Sequence, residues 1–191
     1  PAAGPDVLKI GLTSKLELQP TPGADLNVTI KSQDTKGSFL FNNAEGRITH
    51  LGQQCAWAWQ EVPVPVIAAV HGHALGGGIQ IALGADIRVV HPDTQMSVRE
   101  VHWGLVPDMT GTQMLPRLVG LDVAKELAFT GRMVSGEEAV ELGLATHLAD
   151  DPRRAALELA REIASKNPYA VRGVKKLVNM AGQVSLEDGF K

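Results

Sequence analysis

The chain has 191 residues, a formal net charge of −3, 44% hydrophobic and 20% charged residues, 20 glycines and one cysteine. This length supports a single domain with a sizeable core, and the near-neutral charge argues against a nucleic-acid partner, which needs a basic face. A lone cysteine excludes an internal disulfide or cysteine-based zinc site and points to a reducing, cytoplasmic compartment. The longest apolar runs, such as 62–70, fall short of a membrane span, so no membrane partner is expected. No signal peptide is visible, and the Pro1 start suggests that the native beginning lies upstream.

In residues 1–45, Leu8, Ile10 and Leu12, then Leu16 and Leu18, then Leu26, Val28 and Ile30 alternate with other residues. Period-two alternation predicts short strands, with turns at 20–23 and 34–37. From Ile48 the spacing becomes helical, predicting an amphipathic helix over 47–60 that ends before Pro63. Residues 64–70 form a continuous β-branched run, predicting a strand buried on both faces. A glycine turn follows, then a helix at 79–83 with Gly84 as C-cap, and strands at 86–90 and 95–99. Beyond them a short helix at 122–129 stops near Gly131, and Ser135 with Glu138 fits a capping box. A brief extended piece is predicted at 144–148. Asp151-Pro152 and Asn167-Pro168 each carry an N-cap followed by a first-turn proline, opening two further helices. Strand, glycine turn and helix place the chain in the α/β class.

The glycine turn is the most informative stretch. Gly76, Gly77 and Gly78 lack Cβ atoms, so a ligand can approach the backbone closely. A helix starting there offers N–H groups without intrahelical partners, suited to a phosphate, a carboxylate or a developing oxyanion. A tight turn needed only for helix–strand packing is the alternative. The spacing does not fit a dinucleotide-binding fingerprint. Beyond the turn, Glu100 and Asp108 place two carboxylates in a glycine- and proline-rich loop.

Several stretches in this order resemble the crotonase superfamily, also called the enoyl-CoA hydratase/isomerase family. They are Pro65–Gly78, Ala85-Asp-Ile-Arg88, Glu100–Leu105, Gly111–Gly120 and Phe129-Thr-Gly-Arg132, with similarity continuing through 139–144 and 155–176. The resemblance implies a crotonase-like spiral of ββα units over residues 1–132, its N-terminal part atypical or incomplete. Residues 133–191 would then form a helical C-terminal region that mediates trimer formation. It also implies an acyl-CoA thioester substrate, an enolate held by two backbone N–H groups, and a homotrimer or dimer of trimers. The family's middle turn glycine lands on Gly77, the expected oxyanion donor. The second donor comes from a loop signature that residues 1–46 do not show, so parts of the native chain are expected to be missing or diverged.

Family hydratases carry one glutamate three residues after the oxyanion glycine and another twenty residues later. Here those positions hold Gln80 and Glu100. An amide cannot act as general base, so Gln80 is expected to orient substrate or water. Asp108 falls where dienoyl-CoA isomerase-like members place an aspartate that works with a glutamate at the Glu100 position. Isomerisation of an unsaturated acyl-CoA by Glu100 and Asp108 is therefore expected ahead of hydration by a 2-enoyl-CoA hydratase. A non-catalytic acyl-CoA-binding protein is the reading from another class. No cofactor is needed, because every step is a proton transfer.

Ala74, Gly76, Gln80 and Trp103 are the expected substrate-binding residues. Glu100 could instead pair with Arg99 or Arg117, and Asp108 could simply shape a turn. His71 and His73 form an H-x-H pair without a third ligand, so no metal is assigned. His102 with Trp103 could line the acyl pocket or pack structurally. Arg172, Lys175 and Lys176 share one helix face that could meet CoA phosphates or simply face solvent.

Overall fold

The fold comes from a computed structural model, which describes residues 7–9, 27–29, 49–181 and 183–189. The chain divides into two units, Pro1–Phe41 and Asn42–Lys191. In the first, β1 (Val7–Lys9) and β2 (Asn27–Thr29) pair in parallel, with Val7 opposite Asn27. β2 falls within the predicted stretch 26–30, and β1 overlaps the start of the one at 8–12. The predicted strand around Leu16 and the turns at 20–23 and 34–37 lie outside the described residues.

The second unit repeats a strand–strand–helix turn. Helix α1 (Thr49–Glu61) leads into β3 (Ile67–Val70), β4 (His73–Leu75) and α2 (Gly77–Leu83). The next turn consists of β5 (Ile87–Val90), β6 (Gln95–Ser97), a 3-10 turn (Glu100–Trp103) and α3 (Gly111–Val119). Then come α4 (Leu121–Thr130), β7 (Val134–Ser135), α5 (Gly136–Glu141) and β8 (His147–Leu148). Three helices follow: α6 (Pro152–Ala164), α7 (Pro168–Met180) and α8 (Leu186–Gly189). The first strands of successive turns stack in a parallel sheet ordered β3-β5-β8; the second strands form β4-β6-β7, with β7 antiparallel. This is the ββα spiral the resemblance implies. Among the described residues, no helix is long and apolar enough to cross a membrane.

Several expectations need correction. The sequence run from strand straight into glycine turn hides β4, where Ala74 points inward and pairs opposite Met96. Strand β3 is only half-buried, with Ala69 exposed, because it forms the edge of its sheet among the described residues. Helix α3 escaped prediction because Pro116 interrupts its pattern and glycine flanks both ends. The capping box is half formed: Ser135 Oγ accepts from the Glu138 N–H at 3.1 Å. The Glu138 carboxylate instead accepts from Arg132 Nη1 at 2.7 Å, while Arg132 Nε donates to Glu126 at 2.7 Å. These two bonds raise the Arg132 pKa. Asp151 and Asn167 do cap α6 and α7, accepting from the N–H groups of Arg154, Tyr169 and Ala170.

The core lies between the strands and helices α2–α5, with Ile79, Leu83, Val90, Met96, Leu115, Leu127 and Leu144 buried together. Gly84 is the C-cap of α2, as expected, in a right-handed conformation (φ −68°) that does not itself call for glycine. Its requirement is space: a Cβ there would overlap the Ala56 carbonyl where α1 crosses α2. Arg88 is buried and donates to Leu144 O at 2.7 Å and Ala85 O at 2.6 Å. Burial lowers its pKa, and the Asp86 charge opposes that shift.

Helix α7 buries none of its residues fully, yet one polar group anchors it. Lys175 Nζ lies 2.8 Å from Asp86 Oδ2 and donates to Trp59 O at 2.9 Å and Val64 O at 3.0 Å. Three acceptors for three ammonium hydrogens leave this cation fully satisfied. Two outcomes are expected in urea unfolding. Gly84→Ala should lower stability by about 1–3 kcal/mol, because a backbone carbonyl must move to admit the methyl. Lys175→Ala should cost about 3–5 kcal/mol by stranding the Asp86 carboxylate, and a loss below about 1 kcal/mol would show that the clasp is dispensable.

Candidate active site

Strand β4 ends at Leu75 and α2 begins at Gly77, leaving Gly76 to make the turn at φ 52°, ψ −119°. The Gly76 N–H donates to Ser97 O at 2.9 Å and ties the turn to the end of β6. Gly77 is the first residue of α2, so its N–H has no acceptor within the helix. The helix thus starts in the glycine turn itself, two residues before the predicted Ile79.

Gln80 lies one turn into α2, and Glu100 heads the 3-10 turn in the next ββα unit. Both are buried, at 1% and 8% exposure. Gln80 Nε2 donates to Glu100 Oε1 at 2.6 Å, and the Gly111 N–H donates to Gln80 Oε1 at 3.0 Å. The backbone N–H can only donate, so it fixes which end of the amide is oxygen and turns the NH2 toward the carboxylate. Glu100 Oε2 has no hydrogen-bond partner among the described residues. A Cβ built on Gly76 would lie 3.4 Å from Glu100 Oε1, so the carboxylate adjoins the glycine turn. Glu100 therefore pairs with an amide here, in place of Arg99 or Arg117.

The loop between the 3-10 turn and α3 closes over this pair. Gly111 is needed for close approach: a Cβ there would meet Gln80 Oε1 and Pro107 Cβ, each at 2.9 Å. Met109 Sδ would lie 3.5 Å from a Cβ on Gly77. Thr110 is buried, sits at φ 81°, ψ −9°, and its Oγ1 has no partner among the described residues. Asp108 is exposed, and its Oδ2 accepts from Gln53 Nε2 of α1 at 3.3 Å. Met109, Thr110 and Gly111 had no role assigned from sequence. The available signal was a threonine–glycine step before a helix, where the backbone must turn sharply.

The remaining sequence candidates separate. The Ala74 side chain is part of the hydrophobic core, while Trp103 is 79% exposed on the 3-10 turn. The His102 ring packs against the Gly131 backbone, leaving no space for a Cβ there. His71 stacks on His91 with ring centroids 4.3 Å apart. Among the described residues, no three histidine, cysteine or acidic side chains form a metal-sized group. Lys175 is held by Asp86 and so leaves the basic face it was expected to share with Arg172 and Lys176. The second oxyanion donor, whose loop signature residues 1–46 do not show, has no residue assigned to it. An apolar cleft of about 510 Å³ lies between α7 and α3, lined by Met114, Leu118, Val171 and Val174, and includes none of the residues around Glu100. Chemistry therefore points to the smaller polar cluster: a buried carboxylate with one oxygen unpartnered among the described residues, beside a helix-opening N–H. Such a pair can take a proton from a carbon next to a carbonyl while a donor holds the carbonyl oxygen.

Comparison with known proteins follows the same direction. Residues 24–191 match the family described as Enoyl-CoA hydratase/isomerase. The mitochondrial methylglutaconyl-CoA hydratase of Mus musculus is 42% identical over 135 residues, covering 68% of this chain and 43% of that protein. The mitochondrial enoyl-CoA hydratase domain-containing protein 2 of Mus musculus is 36% identical over 174 residues, covering 88% and 56%. The chain thus spans about half the length of the curated relatives it matches. Among solved structures, enoyl-CoA hydratase from Bacillus anthracis superposes with a TM-score of 0.71 at 36% identity, over 75% of this chain and 56% of that one. A Thermobifida fusca protein solved in complex with acetoacetyl-CoA gives 0.71 at 35% identity, over 74% and 56%. With the spiral, the glycine turn and Glu100 all in place, this chain belongs to the enoyl-CoA hydratase/isomerase family.

Proposed function

We propose that this chain takes part in proton-transfer chemistry on an acyl-CoA thioester, and that shifting a double bond is the reaction its site fits best. The observation that carries this reading is the buried Glu100 carboxylate beside the Gly76–Gly77 turn, its Oε2 without a hydrogen-bond partner among the described residues. Removing a proton from carbon adjacent to a thioester places charge on the carbonyl oxygen. The Gly77 N–H is the donor that would hold it as it forms, stabilising the transition state more than the ground state. Glu100 would take the proton from the carbon next to the thioester. Asp108, exposed on the loop before α3, would be the second carboxylate and return a proton at the other end of the double bond, after which both groups recover their starting state by exchange with solvent. With Gln80 at the first family glutamate position, Glu100 has no carboxylate partner there to share in activating water.

Hydration is the second reading, favoured by the relatives named as hydratases. Optical assays separate the two. Hydration of crotonyl-CoA removes the conjugated-enone absorbance, whereas isomerisation of 3-hexenoyl-CoA creates it. The conjugated product should accumulate from 3-hexenoyl-CoA, with crotonyl-CoA hydrated much more slowly. Glu100→Gln should lower that turnover by about 10²–10⁴-fold, the usual contribution of a general acid–base group. Unchanged turnover in this variant would remove Glu100 from the chemistry, and rapid loss of crotonyl-CoA absorbance would favour hydration.

A further inference from the structure

The site holds two features that proton transfer by Glu100 does not itself require: the buried Gln80 amide and the left-handed backbone of Thr110. Sequence placed Gln80 against substrate. In the structure its oxygen accepts from the Gly111 N–H and one amide hydrogen goes to Glu100 Oε1, leaving a single N–H for anything else. Thr110, at φ 81°, is the sole non-glycine residue with positive φ among the described residues. A β-branched side chain adopts that conformation rarely, and such outliers concentrate where a fold must aim a group. The φ and ψ of Thr110 set the plane of the following peptide and hence the direction of the Gly111 N–H. Pro107 on one side and Gln80 on the other leave that peptide no alternative path, since even a Cβ on Gly111 would collide with both.

We propose that Gln80 is a positioning residue for Glu100, gripped by the Gly111 N–H that the left-handed backbone of Thr110 directs at it. This rests on the reading of Glu100 as proton carrier. A carboxylate offers two equivalent oxygens and can rotate. A short hydrogen bond to Oε1 in a buried setting, where water does not compete, ends that equivalence and leaves Oε2, unpartnered among the described residues, as the oxygen for the reacting carbon. Holding the base in one orientation is how a site secures near-attack geometry. Gln80 would therefore affect the rate of proton transfer and leave thioester affinity nearly untouched.

The test uses the whole chain and two independent measurements. In Gln80→Met, close in volume but unable to make either bond, kcat for 3-hexenoyl-CoA should fall about ten- to a hundredfold. Affinity for butyryl-CoA, a saturated thioester, should stay within twofold. Weakened butyryl-CoA binding with kcat unchanged would overturn the proposal and assign Gln80 to substrate. The second measurement needs no turnover. The Gln80 side-chain amide should give one strongly downfield proton resonance in the unmodified chain, and that resonance should move upfield in Glu100→Gln. Averaged amide resonances typical of a solvent-exposed glutamine would overturn the proposal whatever the activity. If Glu100→Gln kept full turnover while moving the resonance, the positioning contact would stand and the proton-carrier reading would fall.

Discussion

Parallel, in-register stacking of successive ββα turns is the constraint on which the site depends. Ile67 lies opposite Ile87 and Val70 opposite Val90, so β3 and β5 pair at an offset of twenty residues. The second strands pair at an offset of 22, His73 opposite Gln95, and Gln80 and Glu100 follow them by five and three residues, which brings the two side chains together. The sheet register thereby converts a sequence separation into a 2.6 Å contact. Slipping a parallel strand by one residue would reverse which face its side chains occupy, so the buried faces of β5 and β6 hold this register firmly. The carboxylate is thus placed by the scaffold, and only its final orientation is left to local contacts.

Close backbone approach does the rest of the positioning. Where α1 crosses α2, only a hydrogen at Gly84 fits against the Ala56 carbonyl, and this fixes α2 and the turn that opens it. At the other end, the loop before α3 comes down on Gln80 because Gly111 has no side chain. Helix α7 is fastened differently, through the Lys175 ammonium buried against Asp86 and two carbonyls at the end of α1 and the start of the next segment. Asp86 Oδ2 also accepts from the Val66 N–H at 2.7 Å. One carboxylate therefore joins the approach to β3, the start of β5 and helix α7.

What was legible in the sequence follows from which interactions are local. The caps at Asp151 and Asn167 are read within three residues, and both form as predicted. The spiral and the glycine turn carried enough family-like spacing to be identified. Strand β4 was not legible because a three-residue strand shows its alternation only against β6, its partner 22 residues on. Helix α3 was masked by Pro116, which local rules treat as a breaker. Glu138 was expected to complete its own cap, yet Arg132 captures it, a tertiary contact that outweighs a local one. The same limit applied to Lys175, whose helix face looked solvent-bound until Asp86 was found beneath it. At the site, motif spacing singled out Gly77 and Glu100 as candidates, whereas the left-handed Thr110 and the Gly111 N–H bond to Gln80 depend on backbone direction that no residue type announces.

The amide at position 80 also changes what the site can do. Two carboxylates 2.6 Å apart cannot both be ionised and would share a proton, so each would limit the other's availability. Glutamine makes the same contact as a plain donor–acceptor bond, with no proton to share. The carboxylate is then free to accept a proton from carbon, which double-bond migration requires. Activation of water, by contrast, gains from a second group that can change protonation state. An amide at this one position, held by the Gly111 N–H and bonded to Glu100, is thus the feature that supports the proposed preference for double-bond migration over hydration.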